Sequence, residues 1–173
     1  HEGGAFRGDL AFGPDGNLYV LDTFNSRIQV LRPDNTVVRA WGEAGSGEGQ
    51  FTLPGGIAVD GAGRVYVADT ENRRVQIFDA NGQFLETWAT SEDGGRWLSP
   101  NDVAVDPAGI VSVTDGTTKQ VIRFDADGAV IGAFGGDGSG PERLGDPVGV
   151  ISDAQGNLFV ADGVGSRIQV FAP

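Results

Sequence analysis

The stretch GIAVDGAGRVYVADTENRRVQIFDANGQFLETW, residues 56–88, decides the fold. Its apolar residues come in short runs, GIAVD (56–60), VYVAD (65–69), RVQIFD (74–79) and, continuing into Ala89, FLETWA (84–89), rich in Val, Ile and aromatic residues. Turn formers separate them, Gly61-Ala62-Gly63 after the first run and Ala80-Asn81-Gly82 after the third. The pattern predicts four antiparallel strands, here lettered a to d. No helical period of useful length is present, and 29 glycines oppose long helices.

The same unit recurs along the chain. NLYVLDTFNSRIQVL, RVYVADTENRRVQIF, IVSVTDGTTKQVIRF and NLFVADGVGSRIQVF align on Asp22, Asp69, Asp115 and Asp162, which stand 47, 46 and 47 residues apart. The turn glycines Gly16, Gly63, Gly109 and Gly156 keep the same spacing. Two columns with one period identify a repeat, and four short strands per unit of this length are the pattern of propeller blades stacked around an axis. The units are not copies. The third has Thr118 and Gln120 where the second has Asn72 and Arg74, and Ser112 where the others have Tyr19, Tyr66 and Phe159.

Residues 45–88, GSGEGQFTLPGGIAVDGAGRVYVADTENRRVQIFDANGQFLETW, resemble a nearly complete NHL repeat, and the likeness extends over almost the whole chain. It implies an all-β fold, a β-propeller of four-stranded antiparallel blades: blade 1 at 1–42, blade 2 at 43–89, blade 3 at 90–135 and blade 4 at 136–173. Blade 4 stops after RIQVF and lacks its outer strand, and the glycine-rich HEGGAFRG is too short to supply it. NHL propellers commonly have about six blades, so four are expected to form part of a larger propeller or to associate with another chain, with Arg167 to Phe171 as an open edge. A chain that starts at His1 and contains no Met is expected to be a piece of a longer protein or a processed product.

The charge narrows the partners. Twelve Lys and Arg face 24 Asp and Glu, a formal net charge of −12. Such a field repels phosphates and anionic lipids, so nucleic acid is not expected as a partner, and RNA binding of the tripartite-motif NHL kind lacks its basic face. No run approaches a membrane-spanning length, and the amino terminus lacks the basic and apolar regions of a signal peptide. No membrane insertion is expected. The absence of Cys leaves the compartment open; a soluble, extracytoplasmic part of a larger bacterial protein is compatible with it.

Three acidic patterns are candidates for chemistry. Asp22/Arg27, Asp69/Arg74 and Asp162/Arg167 recur five residues apart across the b–c turn, either as a charged ring for a ligand or as a repeated turn lock; recurrence in three of four blades favours the lock. Asp60, Asp106 and Asp153 close strand a, where Asp accepts from amides two residues on. Strand a lines the channel, and there Asp9, Asn101 and Asp102 stand near its mouth. Oxygen ligands of this kind suit Ca²⁺, and SPNDVAVDPAG (99–109) resembles metal-binding segments of gluconolactonase-like propellers. The alternative to a metal site is a pair of solvated or amide-capping aspartates, Asp9 and Asp102, at the channel mouth.

Nucleophilic machinery has few candidates, since the sole histidine is His1 and there is no cysteine. The loops GEAGSGEGQF (42–51) and GGDGSGPERLGDP (135–147) precede strands rather than helices and lack the Lys of a P-loop, so they read as blade connectors. The expected function is a non-enzymatic binding or assembly scaffold without a cofactor, holding a protein, peptide or glycan on a propeller face and self-associating through its end blades. The alternative is a Ca²⁺-dependent lactonase or lyase with its site at the channel mouth.

Overall fold

A computed structural model of the protein describes residues 8–88, 99–137, 140 and 142–173. Residues 1–7, the start of blade 3 at residue 90 and part of the last connector lie outside them. Blade 1 comprises β1 (Asp9–Phe12), β2 (Leu18–Asp22), β3 (Arg27–Leu31) and β4 (Val37–Trp41). A connector carries β5 (Glu43–Ala44) and β6 (Gln50–Phe51), a short parallel pair that the sequence did not announce. Blade 2 is β7 (Gly56–Val59), β8 (Val65–Asp69), β9 (Arg74–Phe78) and β10 (Phe84–Trp88). Blade 3 is β11 (Pro100–Val105), β12 (Val111–Asp115), β13 (Gln120–Phe124) and β14 (Val130–Gly135). Blade 4 has three strands, β15 (Pro147–Ser152), β16 (Leu158–Asp162) and β17 (Arg167–Phe171).

Every blade is a meander in which chain order equals sheet order. All four a–b turns need one residue with positive φ, and the repeated glycine column supplies it, with φ of 76°, 85°, 84° and 83° at Gly16, Gly63, Gly109 and Gly156. Beside them Asp60, Asp106 and Asp153 each accept from the amide two residues on, at Ala62, Ala108 and Gln155. Blade 1, with Gly13 in that column, uses Asp15 instead, which accepts from Asn17.

The core lies between blades. The face of each blade that meets the next is called trailing, and the one that meets the previous blade is called leading. Between blades 1 and 2, Tyr19, Leu21, Ile28 and Val30 of the trailing face pack on Ile57, Val65, Val67 and Phe78 of the leading face. Blades 2 and 3 meet through Tyr66, Val75, Ile77 and Trp88 against Val103, Val113, Ile122 and Phe124. Blades 3 and 4 meet through Ala104 and Val121 against Val150, Leu158 and Val160. Each Val, Leu, Ile or Phe side chain among them contributes about 1.5–3 kcal/mol when fully buried, so neighbouring blades are what hold a blade folded. Among the described residues no helix is long and apolar enough to cross a membrane.

Candidate functional site

Strands β1, β7, β11 and β15 line a channel cavity of about 420 Å³. Its polar lining includes Asp9 and Asp102. The column they occupy reads Asp9, Gly56, Asp102, Gly149, so carboxylates alternate with glycines from blade to blade. Asp9 Oδ2 accepts from the Ile57 amide of blade 2, at 2.8 Å. Asp102 Oδ2 accepts from the Val150 amide of blade 4, also at 2.8 Å, while its Oδ1 accepts from Val103. Strand a is the inner edge of each sheet, with amides that no neighbouring strand can take. Two of those amides are therefore satisfied by carboxylates from the preceding blade.

Gly56 makes this geometry feasible. A Cβ on it would lie 2.0 Å from Asp102 Oδ1, so only a glycine lets the Asp102 carboxyl lie against blade 2. There Asp9 and Asp102 come within hydrogen-bonding reach of one another. Burial, reinforced by the Asp9 charge, pushes the Asp102 carboxyl up to about 7, in spite of the two amides that favour its ionised form. At neutral pH the pair holds a proton for much of the time.

Asn101 does something different. It does not line the channel cavity; its Nδ2 donates to Pro147 O of blade 4, at 3.1 Å, and its Oδ1 accepts from Ser99. The same inter-blade bond is made in the earlier blades by a threonine: Thr23 Oγ1 donates to Pro54 O, and Thr70 Oγ1 donates to Pro100 O. In blade 3 the threonine column holds Gly116, and a Cβ there would meet Asn101 Nδ2 at 2.6 Å. Asn101 thus fills the space and makes the bond that a threonine fills and makes elsewhere. Its partners in the Asn101 column are Gly8 and Gly55, both paired with threonines. Two departures from the repeat in one blade are a readable signal, visible only when the two columns are compared.

The Asp–Arg columns are turn locks. Nε of Arg27, Arg74 and Arg167 donates to Asp22, Asp69 and Asp162 at 3.0, 2.8 and 3.3 Å. Asp69 is fully enclosed and also accepts from Thr52 N, Asn72 Nδ2 and Gln76 Nε2, so it ties the b–c turn to the connector. In blade 3, where Gln120 replaces the arginine, Asp115 accepts from the amides of Thr117 and Thr118. Burial alone would raise the Asp162 carboxyl, but the amides of Asp146, Gly165 and Gly145, together with Arg167, hold it below its ordinary value.

As a metal site the channel pair fits only in part. Two adjoining carboxylates, one of them retaining a proton near neutrality, would gain from a cation between them. Their oxygens already serve three amides, and no group of three or more His, Cys, Asp or Glu gathers for a metal among the described residues. Calcium takes six to eight oxygens, and Asn101 is turned to Pro147.

No curated protein matches the chain in sequence. Among solved structures it is similar to virginiamycin B lyase from Staphylococcus aureus, with 12% identity over 94% of this chain and 54% of that one and a TM-score of 0.67. It is also similar to a candidate gluconolactonase, with 19% identity over 98% of this chain and 60% of that one and a TM-score of 0.70. A protein of unknown function from Bacteroides thetaiotaomicron gives 18% identity over 95% and 46%, with a TM-score of 0.73. The chain spans about half the length of these structures, and at such identities the likeness is one of fold. Residues 51–78, most of blade 2, match the family profile of the NHL repeat. With that match in a blade built on one plan four times over, the chain is an NHL-repeat β-propeller.

Proposed function

We propose that the chain is a recognition and assembly module that holds a protein, peptide or glycan on a propeller face, rather than an enzyme. The observation that supports this best is that the polar side chains of the channel mouth are committed to the joints between blades: Asp9 to Ile57, Asp102 to Val150 and Asn101 to Pro147. Chemistry at these groups would have to break the bonds that hold neighbouring blades together. The stacked blades present their loops side by side, which suits recognition, and the charge of −12 turns the chain away from nucleic acid and anionic lipid. The lyase of similar fold is described as catalytically inactive when one histidine is replaced by alanine, and the sole histidine here is His1.

A Ca²⁺-dependent lactonase or lyase is the second reading, favoured by the two carboxylates that meet over Gly56. Thermal unfolding with and without millimolar CaCl₂ separates the two. The scaffold reading expects the same Tm in both, for wild type and for Asp102→Asn. A Tm raised by calcium in the wild type and not in Asp102→Asn would overturn it.

A further inference from the structure

The two end faces of the arc are halves of the joint that the chain already makes three times. On the leading side one column reads Leu10, Ile57, Val103, Val150: the last three are each 3% exposed beneath the preceding blade, whereas Leu10 is 60% exposed. On the trailing side the column Ile28, Val75, Val121, Ile168 is 0% exposed in its first three members and 68% in the last. Leu10 belongs to an apolar hollow of about 470 Å³ on blade 1 that also includes Val20 and Phe24. Opposite it in kind, Ile168 lies with exposed Ile151, Val164 and Val170 on blade 4. Apolar faces of this sort mark interaction surfaces.

Two further features match blade 1 to blade 4. The alternation Asp9, Gly56, Asp102, Gly149 places a glycine blade before an aspartate blade, and Gly56 provides the space that Asp102 needs. Blade 4 is a glycine blade and blade 1 an aspartate blade, so blade 1 following blade 4 repeats the order of the joint between blades 2 and 3. In addition, Ile151 stands where the other trailing faces have Ala11, Ala58 and Ala104, and Phe12 stands where the other leading faces have Val59, Val105 and Ser152. Both substitutions enlarge apolar side chains at the inner end of the unmatched joint.

We propose that a second copy of this chain covers these faces head to tail, with the trailing face of blade 4 of one copy packed on the leading face of blade 1 of the other. The joint continues the blade-on-blade interface of the chain and is heterologous, joining two different faces. It rests on the assembly reading above and names its partner. Sedimentation velocity over a series of protein concentrations tests it, on the wild type and on Leu10→Glu and Ile168→Glu.

Both side chains are exposed in the single chain, so circular dichroism should show the variants folded; Phe12→Glu and Val170→Glu serve in their place if one is not. The wild type is expected at twice the 18.0 kDa of one chain or more, and each variant at the mass of one chain. An equal mixture of the two variants is expected to recover a species of two chains, because one joint keeps both native faces. A monomeric wild type would overturn the proposal. So would an Ile168→Glu protein that stays assembled while Leu10→Glu does not, since that pattern belongs to a joint between like faces. A monomer whose Tm ignores calcium would refute the self-association and leave the recognition reading standing.

Discussion

Asp102 should make this protein less stable as the pH rises from acid to neutral. Its carboxyl is pushed up to about 7 by burial and by Asp9, against 3.8 when free. The folded state therefore keeps a proton that the unfolded chain releases between these values, and stability falls with pH wherever the native state binds more protons. The contribution is fully present below 3.8 and is lost as the pH rises through about 7. About three pH units at ~1.36 kcal/mol each set a ceiling of about 4 kcal/mol. Because the side chain keeps some access to channel water, about 2 kcal/mol is the expected loss. The aspartates held below their ordinary value, Asp22, Asp34, Asp60, Asp79, Asp153 and Asp162, act in a separate window, since their contribution is present above 3.8 and lost only below it. Urea unfolding at pH 4.5, 6.0 and 7.5 reads the slope directly. Asp102→Asn should abolish it, leaving stability flat over that range. A wild type whose stability is level or rising from pH 4.5 to 7.5, or an Asn variant with an unchanged slope, would refute the reasoning.

Two substitutions of one column should have very different costs. Asp69→Ala takes the carboxylate from the Arg74 guanidinium, only 12% exposed, and leaves the Thr52 amide without its acceptor, while Arg74, Asn72 and Gln76 keep their bonds to connector carbonyls; it should cost about 3 kcal/mol in urea unfolding. Asp22→Ala leaves Arg27 in solvent and should cost about 1 kcal/mol; equal costs would mean that enclosure does not set the value of the lock. The Asn101–Gly116 exchange predicts a rescue. Asn101→Gly loses the bond to Pro147 and Gly116→Thr forces a clash, so each should cost about 1–2 kcal/mol, while the double variant rebuilds the Gly55/Thr70 arrangement and should return to within about 0.5 kcal/mol of wild type. Additive losses would contradict the assignment of Asn101 as the stand-in for a threonine.

The repeat was legible in the sequence because each blade restates it: the aspartate and glycine columns placed fifteen blade strands, the short blade 4 and the b–c locks. The β5–β6 pair was not, since two residues per strand carry no periodicity and their pairing is set by Asp69 and Gln76 reaching the connector. At the channel, sequence reasoning grouped Asp9, Asn101 and Asp102 by their place at the mouth. Asn101 is the unpaired residue of a bulge between Pro100 and Asp102, and it serves a joint while Asp102 meets Asp9 across an intervening blade. That meeting depends on the missing side chain of Gly56, which no reading of one blade reveals.

The channel carboxylates hold neighbouring blades together, and amide hydrogen exchange at Ile57 and Val150 reads each of these bonds separately. Both amides should be protected in the wild type. Asp102→Ala should speed exchange at Val150 at least about tenfold more than at Ile57, and Asp9→Ala should do the reverse, since a hydrogen bond to a carboxylate contributes about 1.5–3 kcal/mol. Equal acceleration at both amides in either variant, or none at the amide that lost its carboxylate, would contradict the account.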